Sequence, residues 1–75
     1  MTSKVAEILA TVVECGGEAS GAHLLDTCGL NKAQLTRQLR WMEMQDFVNQ
    51  VGSWNDGGLW VRATALGRAI LAAQP

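Results

Sequence analysis

A chain of 75 residues has room for one domain, and a domain that small buries roughly 60% of its unfolded surface. With 48% hydrophobic and 17% charged residues it has too much apolar content for a disordered segment. Six Lys and Arg against seven Asp and Glu give a net charge of −1, which excludes the uniformly basic surface common among nucleic-acid binders.

The first predicted element is a helix from Lys4 to Cys15, because Val5, Ile8, Leu9, Val12 and Val13 fall on one stripe at helical spacing. Ser3 is read as its N-cap and Gly16-Gly17 as its stop, with Glu7 and Glu14 outside the stripe. Glu18 and Ala19 read as a short extended piece. Ser20 can cap a second helix running to about Cys28, with Leu24, Leu25 and Cys28 inward and Gly29 closing it. Asn31 is the N-cap expected for a third helix, Lys32 to about Gln45, with Leu30 packing back on the core. Its inward stripe is Leu35, Leu39 and Met42, and Asp46 ends it.

Two strands are predicted next, Val48 to Trp54 and Leu59 to Ala63, joined by the turn Asn55-Asp56-Gly57-Gly58. Leu59, Val61 and Ala63 share one face of the second strand, Trp60 and Arg62 the other. Thr64 caps a last helix whose stripe is read as Leu66, Ala69, Ile70 and Ala73. A two-stranded hairpin is marginal alone and must pack on the helices. The expected fold is therefore mainly α with a small β-hairpin, a winged helix-turn-helix filling residues 1–75 as a single domain: a three-helix core, a two-stranded wing and a C-terminal helix.

Three pieces of sequence resemble the winged helix-turn-helix superfamily, and MarR- and PadR-like DNA-binding domains in particular. Met42, Glu43, Phe47 and Val48 match a helix-then-strand pattern in which an apolar residue and Glu precede a short apolar strand. Residues 54–58, WNDGG, look like a wing tip. Thr64, Gly67 and Arg68 match a Thr-x-x-Gly-Arg opening of the helix after the wing. The chain departs from the pattern in carrying Asp46 where a Gly usually precedes the strand, and Asn55 and Asp56 where the wing often carries Arg or Lys.

Charge is unevenly spread. Residues 1–30 set Lys4 against Glu7, Glu14, Glu18 and Asp26, whereas residues 31–75 set Lys32, Arg37, Arg40, Arg62 and Arg68 against Glu43, Asp46 and Asp56. A nucleic-acid surface is thus expected in the second part. The third helix projects Ala33, Gln34, Arg37, Arg40, Trp41 and Met44 outward. Arg37 suits bidentate pairing with guanine and Gln34 with adenine, while Lys32, Thr36 and Arg40 suit phosphates. Arg62 can meet a phosphate from the wing or stack on Trp60.

Trp41 and Met44 beside these arginines resemble the centre of a protein interface, unless Trp41 packs beneath the wing. Trp54 and Trp60 read either as a cross-strand aromatic pair or as a wing surface for another chain. The small residues of the last helix suit core packing or self-association.

No serine or cysteine has a credible histidine base, no Gly-rich loop precedes Lys-Ser or Lys-Thr, and Cys15, Cys28 and His23 fall short of a zinc set. The thiols are expected free, reduced and buried. The residues thus imply no enzyme, no cofactor and no metal. No apolar run nears the roughly 18 residues of a membrane span, and a cytoplasmic protein is expected.

The functional expectation is a DNA-binding transcription regulator that inserts the helix at 32–45 into the major groove, with double-stranded DNA as partner and a homodimer reading a palindrome. The alternative is a protein-interaction module, such as an accessory subunit or a phage-type inhibitor, that uses the same helix and the wing on a protein partner.

Overall fold

The computed structural model describes residues 3–55 and 57–74. Its elements follow the order α1 (Ser3–Glu14), β1 (Glu18–Ser20), α2 (Gly21–Cys28), α3 (Lys32–Met44), β2 (Val48–Ser53), β3 (Gly58–Ala63) and α4 (Ala65–Ala72).

One apolar core joins the helices to the sheet. Val5, Ile8, Leu9 and Val12 of α1 meet Leu24 and Cys28 of α2, Leu35, Leu39 and Met42 of α3, and Val48, Leu59, Val61 and Ala63 of the hairpin. Hydrophobic periodicity alone places nearly all of these residues. Ser3 is already helical, so the cap of α1 falls outside the described residues and is not Ser3. Cys15 lies exposed beyond the helix end, against the expectation of a buried thiol, whereas Cys28 is buried, and both are free. Burial pushes the Cys28 thiol up, against the smaller opposing pull of its contact with Thr11 Oγ1 at 3.9 Å.

The helix ends of α2 and α3 obey local chemistry. Ser20 Oγ accepts from the His23 N–H at 3.1 Å, and Gly29 closes α2 in the left-handed region at φ 65°. Asn31 and Gln34 form a reciprocal capping box: Asn31 Oδ1 accepts from Gln34 N–H at 2.8 Å, and Gln34 Oε1 accepts from Asn31 N–H at 3.1 Å.

The sheet has three strands in the order β1-β3-β2, all antiparallel. The two-residue extended piece expected at Glu18 and Ala19 is its third strand, pairing Glu18 with Arg62, Ala19 with Val61 and Ser20 with Trp60. Three residues are too few to show a period, so the partner strand decides this element. The β2–β3 register pairs Val51 with Trp60 and Ser53 with Gly58. Trp54 is therefore in the turn, not at the end of a strand, and Asp56 of the expected turn lies outside the described residues. The expected cross-strand pair of Trp54 and Trp60 does not form, because the register sets Trp60 opposite Val51.

The joint between α3 and β2 accounts for one of the sequence matches and one of the departures. Asp46 sits in the left-handed region at φ 62°, the conformation that favours the glycine usual at this point. Glu43 Oε2 accepts the Gln50 backbone N–H at 2.9 Å, so α3 satisfies an amide of the outer strand β2. Asp46→Gly is expected to stabilise the fold by about 0.5–1 kcal/mol, because relief of the left-handed strain outweighs the added freedom of the unfolded chain. A midpoint in urea unfolding at or below that of the parent chain contradicts this account.

The inward stripe expected for α4 is corrected. Leu66 is 44% exposed, Ala69 and Ala73 are exposed, and Ile70 is half-buried; Gly67 is buried and Leu71 packs on the core. The rotation follows from the anchor at the helix start. Thr64 Oγ1 accepts from Gly67 N–H at 2.9 Å and donates to the carbonyl oxygens of Asp46 at 2.6 Å and Phe47 at 3.0 Å. Thr64 N–H also donates to Phe47 O at 3.0 Å. These bonds turn position 67 onto the Phe47 backbone, where only a glycine fits.

Candidate nucleic-acid interface

The capping box starts α3 at Lys32, and the burial of Leu35, Leu39 and Met42 turns Lys32, Ala33, Gln34, Thr36, Arg37, Arg40, Trp41 and Met44 outward, all of them exposed. Lys32, Ala33, Thr36, Arg37 and Arg40 form one wall of an open groove of about 480 Å³, and Trp54 from the wing closes its other side. Among the described residues the only ion pairs are Lys4 with Glu7 at 3.2 Å and Arg62 with Glu18 at 3.0 Å. Lys32, Arg37 and Arg40 thus converge on the groove with no carboxylate to neutralise them. Glu43, on the same helix, is engaged by the Gln50 amide. Three like charges on one groove repel one another, and an anion seated there relieves that repulsion.

The groove is therefore cationic although the whole chain carries a charge of −1. The spacing is also suited to a duplex: Arg37 and Arg40 stand one turn apart on an exposed helix, and a major groove admits a helix.

The remaining sequence candidates fall in other places. Gln34 is exposed beside the groove, and its Oε1 accepts the Asn31 N–H, which holds its amide against the start of α3. Thr36 Oγ1 accepts from Trp54 Nε1–H at 3.3 Å, so its hydroxyl faces the wing. Arg62 lies on the outer sheet face, far along β3 from the tip. Its Nε and Nη2 donate to Glu18 Oε2 at 3.2 and 3.0 Å, so Glu18, not Trp60 or a free surface, takes the guanidinium. No lysine or arginine stands at the tip.

Trp41 stands on the other flank of α3, and Met44 lies one turn past Arg40 at the C-terminal end of the exposed face. Trp41 makes an edge-to-face contact with Phe47 at 5.8 Å and remains 42% exposed, while Met44 is 77% exposed. With Val5, Arg37 and Gln38, Trp41 lines a second cleft of about 270 Å³. Arg37 borders both clefts. The sequence distinction between an N-terminal half for bases and a C-terminal half for protein becomes a distinction between two flanks.

Trp54 is neither a free interface residue nor half of an aromatic pair. It is half-buried, reaches Thr36, and lies with its ring 5.3 Å from Lys32 Nζ. Trp60 is 44% exposed on the outer sheet face beside Val51, which is 51% exposed. No sequence pattern marks the reach of Trp54, because its contacts join α2, α3 and the wing across long separations.

No known family pattern matches the sequence, and no curated protein is significantly similar to it. Solved structures are similar in fold. MarR of E. coli complexed with operator DNA superposes with a TM-score of 0.82 at 23% identity, covering 96% of this chain and 51% of that one. AbsC, a MarR family transcriptional regulator from Streptomyces coelicolor, gives 0.86 at 23% identity, covering 96% and 50%. BpsR of Bordetella bronchiseptica gives 0.83 at 15% identity, covering 96% and 51%. The chain has the winged helix-turn-helix fold of the MarR regulators, as the resemblance implied, and it spans about half the length of the structures it matches.

Proposed function

We propose that this chain is a DNA-binding winged-helix module of a transcription regulator, with α3 entering the major groove and the wing lying along the backbone. The observation that carries the reading is the convergence of Lys32, Arg37 and Arg40, without carboxylate partners among the described residues, on the exposed groove between α3 and the wing. Arg37 reads a base edge, and Lys32 and Arg40 hold phosphates. The structure of MarR with operator DNA and the regulation of DNA binding in BpsR by 6-hydroxynicotinic acid support this role for the fold. Two copies related by a twofold axis would double the contacts and read a palindrome. The apolar side chains that α4 leaves exposed, Leu66, Ala69 and Ala73, suit a contact between copies. No helix among the described residues is long and apolar enough to cross a membrane.

Titration of binding to a duplex selected from random sequence against salt tests the proposal. Two cations on phosphates predict a slope of log affinity against log salt of about −2 for one copy and twice that for a pair. A slope near zero, or no selectable duplex, overturns it. That outcome favours the second reading, a protein-interaction module, which rests on the exposure of Trp41 and Met44 towards the C-terminal end of α3.

A further inference from the structure

We propose that Trp54 is a positioning residue that locks the wing to α3 and to the start of α2, and so sets the distance between the wing backbone and the cations of α3. The inference rests on the reading of this groove as a DNA surface, and adds to it how the surface is held in shape.

A hairpin joined to its domain only at its base is free to swing, and a swinging wing cannot keep phosphate contacts in register with a helix. Trp54 removes that freedom at three points. Its indole Nε1–H donates to Thr36 Oγ1 in the middle of α3 at 3.3 Å. The ammonium of Lys32, at the first turn of α3, stands 5.3 Å from the ring centre. The far edge of the ring lies over Gly21, the first residue of α2, where an added Cβ would stand 2.6 Å from Cη2 and 2.8 Å from Cζ3. Gly21 does not have a positive φ, so the backbone does not call for glycine there; the indole occupies the space a side chain would take. The same ring borders the cationic groove on one side and, on the other, a cleft of about 350 Å³ between α2 and the wing. Trp54 thus touches all three parts whose relative placement fixes the groove.

The test uses the whole chain with Trp54→Phe, Thr36→Val and Gly21→Ala, alone and combined. Circular dichroism and amide exchange in the α1 core certify that each variant folds. Trp54→Phe shortens the ring and removes the donor. It is expected to speed amide exchange at residues 53–58 and to weaken binding to the selected duplex by about three- to tenfold, the factor one hydrogen bond provides. Thr36→Val should add little in the Trp54→Phe background, since both remove one bond.

Gly21→Ala gives the decisive comparison. It should loosen the wing and weaken binding when Trp54 is present, and do so much less in the Trp54→Phe background, where the shorter ring draws back and Leu59 Cβ, at 3.3 Å, is the close contact left. Equal effects of Gly21→Ala in both backgrounds, or unchanged exchange and affinity in Trp54→Phe, overturn the proposal. If the parent chain selects no duplex, the DNA reading fails and the positioning role with it. Exchange at residues 53–58 then shows separately that the lock exists as a feature of the fold.

Discussion

Arg37→Ala is expected to abolish selective DNA binding while leaving the fold intact. Arg37 is exposed, has no ion-pair partner among the described residues and lines both clefts flanking α3, so its loss removes no packing that the core requires. One bidentate contact to a base contributes about 1–3 kcal/mol of discrimination, so affinity for the selected duplex should fall by about 5- to 150-fold while affinity for unrelated duplex changes less. Arg37→Lys should not restore selectivity, since a point charge lacks the planar fork. Urea unfolding should stay within about 0.5 kcal/mol of the parent. Mobility shifts on selected and unrelated duplexes decide the matter, and equal affinity of parent and variant for the selected duplex removes this face of α3 from the role. Arg62 is a built-in contrast. Its exposed pair with Glu18 contributes at most about 1 kcal/mol, and Arg62→Ala should leave selectivity in place.

Gly67→Ala is expected to cost the most stability of any single methyl group added to this chain. In an open helix the change would gain about 1 kcal/mol of propensity. Here the new Cβ would collide with the Phe47 carbonyl oxygen and stand 3.0 Å from its carbon and 3.2 Å from its Cα. All three are backbone atoms and cannot swing aside. The same carbonyl receives the bonds from Thr64 that hold α4 in place, so relief of the collision stretches them. Overpacking together with those bonds costs about 3 kcal/mol or more, which exceeds the propensity gain. A domain of this size holds only about 4–11 kcal/mol in total. The melting temperature should therefore drop by more than about 10 °C. A variant as stable as the parent would show that α4 does not press on Phe47.

Gly67 also explains why the last helix was misread. The stripe of Leu66, Ala69, Ile70 and Ala73 has correct helical spacing, and nothing in periodicity distinguishes it from one starting at Gly67. The Thr64 anchor settles the rotation, because its bonds run to residues 46 and 47, across the hairpin. Asp46 shows the opposite case. The departure from glycine was visible in the sequence, and the backbone confirms the left-handed turn that makes glycine usual there. The candidate site divides in the same way. Lys32, Arg37 and Arg40 were placed correctly on the outer face by counting turns, whereas Thr36, Arg62 and Trp54 have partners that no count reveals.

By itself the sequence determined the four helices and the hairpin, three of the four helix caps and most of the core, since these depend on spacing within a few residues: helical stripes at α1 and α3, alternation in β3, and Ser20, Asn31 and Thr64 at the helix starts. It determined the winged-helix order as well, because a short hairpin has nowhere to bury its face except on the helices. Tertiary structure alone decided the third strand, the rotation of α4, the pairing of Arg62 with Glu18 and the seat of Trp54. Each depends on atoms brought together from parts of the chain 17 or more positions apart. The same long-range packing turns a chain of net charge −1 into one with a cationic groove, since charge acts through where side chains stand and not through their sum.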